Sequence, residues 1–304
     1  MSTSSFENKK ELRFVITLGT GSFGSSNANT IVLRGFRASA TIEKAGGTQN
    51  TTLQARIYGV AESDVNAITT LSYKRDEMLA NTVTVTAIDG NQQMQIFSGN
   101  IIFAAGNYQS QPDVFLEIQA ITAFVAQLTP VPPSSYQGSI DVATIAGQIV
   151  ILMNQSAGKN QYVLENNGVT TQLSNTYLAG TALDQLKTLV RNAGVDLYVD
   201  DDIVAICPRG VARRSLIPLI SPQSGLVGYP SFTSIGVRFR CLFNPSILFG
   251  GQVSIQSPIP KANGQFQVLT ITHQLEAETP GGAWYSEVEC INQAIAGGGT
   301  NANS

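Results

Sequence analysis

The chain has 304 residues and a mass of 32.3 kDa, and its 43% hydrophobic content is ample for folded cores, so it reads as a folded, soluble protein. Its net charge is −3, with Lys and Arg scattered singly or in pairs, which excludes the basic footprint of a protein that grips nucleic acid. Only 13% of residues are charged, about half of the roughly 25% usual in soluble domains, so the surface is neutral and polar, as surfaces covered by other proteins are.

Met1 to Phe14 is polar and then charged, and Val142 to Met153, the longest apolar stretch, is interrupted by Thr144 and Gln148. Neither an export signal nor a membrane anchor is expected. Residues 11–125 read mostly as strands: Leu12 to Leu18, Ile31 to Ile42, Thr52 to Tyr58, Thr82 to Ile88, Gln93 to Phe103 and Val114 to Ile121. Turns are expected at Ala45-Gly46-Gly47, Asp89-Gly90-Asn91 and Ala105-Gly106-Asn107. One helix is predicted from about Glu62 to Leu71, with Val65, Ile68 and Leu71 at helical spacing.

Three prolines between Pro130 and Pro133 mark a boundary. Beyond it, Ser139 is expected to cap a helix running to about Asn154, and Thr181 to Asp184 has the form of a capping box for a second helix that Gly194 ends. Tyr162 to Leu173 reads as a hairpin around Asn166-Asn167-Gly168, and Val195 to Cys207 as another around Asp200-Asp201-Asp202. Strand texture returns in Ser234 to Leu242, Gln252 to Gln256, Phe266 to Leu275 and Trp284 to Ile291. The predicted class is therefore mainly β with an α+β insertion. Residues 1–125 form a β-barrel or sandwich with one helix, 126–210 an α+β domain, 211–295 a second β domain, and 296–304 a disordered tail.

Candidate chemistry is sparse. Gly19-Thr-Gly21-Ser-Phe-Gly24 matches a dinucleotide-binding fingerprint in letters, but another strand follows where a helix is required, so it reads as a hairpin loop. His273, the single histidine, alternates with Ile271 and Leu275 along a strand and reads as a structural side chain. The Asp200–Asp202 run lacks the further oxygens of a calcium loop and reads as a solvated turn. Cys207, Cys241 and Cys290 read as reduced core thiols, since they are odd in number and far apart. Glu276, Glu278, Glu287 and Glu289 flank the Thr279–Ala283 turn, two to a strand and on one face of each, as a solvated edge or an acidic wall. No catalytic group, metal site or cofactor is expected.

The run from Ser221 to Pro230, containing Gly225, Gly228 and Tyr229, is followed by Gly236 to Pro245, with Asn244 before the proline, and by Gly250 to Ile255. Near the end come Gly264 to Val268, His273, Gly281-Gly282-Ala283-Trp284 and Cys290. Together these resemble the C-terminal half of baseplate hub proteins from contractile-tailed bacteriophages. In the first half, Ile57 to Val60 leading into a short helix, and Ile96 to Ile101 after a turn, are similar to that family's first barrel.

The resemblance implies two tail-tube-like β-barrels flanking the α+β domain, and a non-enzymatic homotrimer in the tail baseplate of the virion, assembled in the host bacterial cytoplasm. Its implied partners are sister subunits, the tail tube protein above, the central spike protein below, other baseplate proteins, the tape measure protein and DNA in non-specific passage. A neutral or acidic lining lets DNA slide where a basic one would hold it, so some of Glu276, Glu278, Glu287 and Glu289 are expected to face the lumen. The hub of a non-contractile tail or of a phage-derived injection machine is an alternative. A cell-wall hydrolase using paired carboxylates, and a carbohydrate-binding sandwich, are the readings from other classes.

Overall fold

Buried and half-exposed side chains alternate along most strands of the first 122 residues, as a sheet with one face on a core requires. The structure, a computed structural model, describes residues 9–24, 28–45, 49–69, 80–109, 111–157, 162–214 and 216–292. Two units emerge from the chain: residues 1–43, 51–122 and 272–285 form the first, and residues 44–50, 123–271 and 286–304 the second.

The first unit contains β1 (Lys10–Thr17), β2 (Thr30–Arg34), β3 (Ala38–Lys44), β4 (Thr52–Tyr58), α1 (Glu62–Ile68), β5 (Thr82–Asp89), β6 (Gln92–Asn107) and β7 (Phe115–Ile121). Their sheet order is β2-β1-β5-β6-β7-β4-β3, antiparallel throughout. Leu12, Phe14 and Ile16 of β1, Leu53, Ala55 and Ile57 of β4, and Val83, Val85 and Ala87 of β5 are buried. The expected single strand Ile31 to Ile42 is two strands, because Gly35 adopts a left-handed φ of 77° that breaks the extended run.

Ala105-Gly106-Asn107 is not a turn but the end of β6. A Cβ at Gly106 would lie 2.7 Å from the Tyr108 ring and 2.8 Å from Val65 Cγ1, so this glycine serves close approach, not a bend. The predicted helix is present as α1 with Val65 and Ile68 buried, while the expected end at Leu71 lies outside the described residues. The Gly19–Gly24 loop joins antiparallel β1 and β2, with Leu18 N donating to Asn29 O (2.8 Å) and Phe23 N to Ala28 O (2.8 Å).

The second unit runs through α2 (Phe124–Leu128), β8 (Ser134–Ser135), β9 (Ser139–Asp141), α3 (Val142–Ala157), β10 (Val163–Asn166), β11 (Gln172–Ser174), β12 (Tyr177–Leu178) and α4 (Ala182–Ala193). It continues with β13 (Val195–Asp200), β14 (Ile203–Pro208), β15 (Leu219–Ile220), β16 (Leu226–Phe232), β17 (Gly236–Leu242) and β18 (Gln252–Ile255). Two long strands, β19 (Gly264–Ala277) and β20 (Trp284–Asn292), contribute residues to both units. The fold is thus mainly β, with helices concentrated between residues 124 and 193.

Ser139 does not cap α3. It lies in β9 and donates to Gln172 Oε1 (2.8 Å), while Asp141 Oδ2 accepts from Thr144 N (3.2 Å) at the helix start. The second helix is as predicted: Thr181 Oγ1 accepts from Asp184 N (3.1 Å), Asp184 Oδ2 accepts from Thr181 N (3.2 Å), and Gly194 closes α4 at φ 64°. Thr181→Ala is expected to cost about 1 kcal/mol, read as a lower urea midpoint with an unchanged slope.

The hairpin expected over Tyr162 to Leu173 does not form. β10 pairs in parallel with β14, and β11 pairs with β9. Asn166 Oδ1 accepts the amides of Gly168 (3.1 Å) and Val169 (2.8 Å), a side-chain turn that sends the chain away from β10. The β13–β14 hairpin does form, and it is covered on both faces. Leu197, Val199, Val204 and Ile206 join α3 and α4 in one core, whereas Tyr198, Ala205 and Cys207 join Phe239, Phe249 and Val268 in another. This explains the unbroken apolar run Ile203 to Cys207.

β16 escapes sequence prediction because Gly228 and Pro230 interrupt it; its pairing with β17 shifts register between Val227 and Ser231. β17 starts at Gly236, where a Cβ would lie 2.1 Å from Cys290 O. The tail expected at 296–304 lies outside the described residues.

Candidate functional site

The motif residues of the second unit build a tightly specified corner. Ser221 and Ser224 cap each other, with Ser221 N donating to Ser224 Oγ (2.8 Å) and Ser224 N to Ser221 Oγ (3.3 Å). Gly225 follows at φ 107°, its carbonyl accepting from Leu242 N (2.8 Å), and a Cβ there would press on Leu242 at 3.3 Å. Gly228 and Pro230 sit in the irregular part of β16, and Tyr229 between them is 71% exposed. Asn244 Oδ1 accepts from Ser246 N (2.9 Å), turning the chain at Pro245. His273 and Trp284 lie in the first unit, both buried, with the Lys10 ammonium 5.7 Å from the Trp284 ring centroid.

The four glutamates divide between the units. In the first, Glu276 Oε2 accepts from Ala283 N (3.0 Å), while Glu278 has left the strand at φ 52° and pairs with Lys9 (2.8 Å). Glu276 and Glu278 therefore do not share one strand face, because the left-handed residue ends the alternation. In the second unit Glu287 and Glu289 do share a face of β20, where Arg240 and Arg238 of β17 pair with them. That face is a ladder of alternating sign rather than an acidic wall.

A second charged assembly is buried. Lys44 Nζ donates to Asp200 Oδ1 (2.5 Å) and Asp201 Oδ2 (3.1 Å). Arg213 donates from Nη1 to Asp200 Oδ2 (3.0 Å) and Phe249 O (2.9 Å), and from Nε and Nη2 to the two oxygens of Glu165 (3.1 and 3.0 Å). Asn167 Nδ2 completes the set on Glu165 Oε1 (2.8 Å). Burial would raise the Asp200 carboxyl, but Lys44 and Arg213 outweigh it and hold the group below its usual range. The Arg213 hydrogen bonds hold Glu165 low against its partial burial. Burial likewise would lower Lys44 and Arg213, and their carboxylate partners hold both above their ordinary values.

The reading of Asp200–Asp202 as a solvated turn is therefore corrected: Asp200 is a buried counter-ion. Lys44, Glu165 and Arg213 carry no sequence signal for this role, since each is separated from Asp200 by at least one strand or by most of the chain.

Burial pushes the thiols of Cys207 and Cys241 up to about 12 and raises that of Cys290, and all three are free and buried. Among the described residues no group of three or more His, Cys, Asp and Glu side chains is placed to hold a metal ion, and no helix is long and apolar enough to cross a membrane. The described arrangement orders strands and pairs charges.

The sequence profile of the family described as baseplate hub gp41 matches residues 37–290. This chain belongs to that family. The matched range includes the Ser221–Pro230 corner, the Asn244-Pro245 turn and the buried network. No curated protein matches the sequence. By fold the hub-family chain is similar to a tail protein from Neisseria meningitidis MC58, with TM-score 0.63, 8% identity, and 94% of this chain and 98% of that one covered. It is also similar to the 43 kDa tail protein of prophage MuSo2 from Shewanella oneidensis, with TM-score 0.62, 9% identity, and coverage of 93% and 98%. An Escherichia coli component of the type VI secretion system aligns with TM-score 0.54 and 9% identity over 84% of this chain and 73% of that one.

Proposed function

We propose that the protein is the trimeric, non-enzymatic hub of a contractile-tail baseplate, joining a six-fold tail tube to a three-fold central spike around a channel for the tape measure protein and DNA. The observation that carries this reading is the family match across residues 37–290. Its proposed organisation is two tube-like barrels, residues 1–125 and 211–295, flanking the α+β domain at 126–210. A subunit ringed by neighbours needs neutral contact faces, because unpaired charges are costly to desolvate. The 13% charge content and the exposed Val227, Tyr229 and Phe232 of β16 support this.

Some of Glu276, Glu278, Glu287 and Glu289 remain the proposed lumen residues. With Arg238 and Arg240 beside two of them, the lining would be close to neutral, which also leaves DNA free to slide.

Native mass measurement of the protein alone and mixed with its spike and tube proteins tests the proposal. Assemblies containing three copies of this chain are expected with the spike. A lasting monomer with every partner would overturn the reading.

A further inference from the structure

In the second unit a cavity of about 750 Å3 lies between α4, β13 and the Gln267–Leu269 part of β19. Its apolar lining includes Val195 and Leu197 from β13 together with Val268, Leu269 and Ile291. Lys187, Arg191 and Arg209 also line it. Among the described residues, none of these three side chains has a hydrogen-bond or ion-pair partner, whereas Arg238 and Arg240 on the same unit are both paired. The two carboxylates at the cavity are already engaged: Asp184 caps α4 with Thr181, and Asp196 Oδ2 accepts from Gly210 N (2.9 Å).

One edge of β13 has no strand partner among the described residues. The small sheet has the order β10-β14-β13, so β13 pairs with β14 on one side and with no strand among the described residues on the other. A strand edge without a partner, apolar side chains in the lining and unneutralised cations together favour an extended chain that brings acidic side chains.

We propose that this cavity docks an extended acidic segment of a different protein as an added strand on β13. The spacing specifies its pattern. Lys187 and Arg191 are four residues apart on one helix face, a rise of about 6 Å. Side chains two apart on a strand are separated by about 6.6 Å. Two acidic residues with one apolar residue between them therefore place both carboxylates toward α4, which packs on the face carrying Val195 and Leu197. The apolar residue between them turns to the opposite face, where Tyr198 packs with Val268. This inference rests on the cavity alone and stands or falls separately from the hub reading.

The probe is a displayed library of random twelve-residue peptides selected on the full-length protein. The most enriched peptide is then labelled and titrated by fluorescence anisotropy against wild type, Lys187→Glu/Arg191→Glu and Arg209→Glu, with folding checked by circular dichroism. Enrichment of acidic–apolar–acidic triplets is expected, with affinity weakened about tenfold or more in whichever variants fold and weakened further by added salt. Absence of enrichment, enriched peptides without acidic residues, or equal affinity for the variants would overturn the proposal. So would competition by pyrophosphate at the peptide's own concentration, which marks a small-anion site. Binding of a DNA duplex that the substitutions abolish, or a native mass showing self-association that they abolish, would assign the cavity to a different occupant.

Discussion

Arg213→Met is expected to lower the unfolding free energy by about 3–5 kcal/mol, because removing one member of a buried ionic set leaves its counter-charges in a low-dielectric site. Arg213 satisfies Asp200, both oxygens of Glu165 and the Phe249 carbonyl at once. Met fills similar volume but supplies no donor, so the Phe249 carbonyl is orphaned and Asp200 retains Lys44 as its cationic partner. Arg238→Met is the comparison: its partner Glu289 sits on a solvent-facing ladder, where an ion pair contributes about 1 kcal/mol or less. Urea unfolding of the two variants measures the contrast. A loss below about 1 kcal/mol in Arg213→Met would show that the network does not hold the second unit together.

Acidification should remove the same support. Asp200 and Glu165 are held below their usual ranges in the folded protein, while unfolded Asp and Glu titrate near about 3.9 and 4.3. Their contribution is therefore complete above about pH 5 and is lost as pH falls from there through the depressed folded values. Lys44 and Arg213 have the opposite sign: held above their ordinary values, they contribute in full at every pH below about 10. Stability thus depends on acid, not on neutral pH. Protonating Asp200 leaves two buried cations short of a counter-charge, a loss comparable to the roughly 3 kcal/mol of deleting a buried partner. Urea midpoints at pH 7, 5, 4 and 3 should fall more steeply below pH 5 for wild type than for Arg213→Met, and parallel curves would contradict this assignment.

Elements whose signals are local were legible beforehand. Thr52 to Tyr58 alternates apolar and polar residues and forms β4 with those bounds, and Thr181, Asp184 and Gly194 mark both ends of α4. Several failures occur where a neighbour outside the local stretch takes part. Gly106 looks like a turn until Val65 and Tyr108 close on it. Asn166-Gly168 has hairpin letters, yet Asn166 turns the chain and β14 captures β10 in parallel. Pro230 hides β16, because a proline is tolerated on a strand at the end of the sheet order and at a register shift.

The same division holds for the candidate site residues. The geometry of the Ser221–Pro230 and Asn244-Pro245 stretches is legible in one dimension, since mutual caps, left-handed glycines and side-chain turns involve residues only a few positions apart. Low charge content and the β, α+β, β order are likewise written along the chain. Only the folded structure turns Asp200 from a solvated turn residue into a buried counter-ion, because Lys44 comes from 156 positions away and Arg213 from the segment beyond β14. It alone separates Glu278 from Glu276, pairs Glu287 and Glu289 with arginines, and gathers Lys187, Arg191 and Arg209 around one cavity. Local motifs specify backbone geometry, whereas the fate of a charge depends on which distant charge and how much water lie beside it.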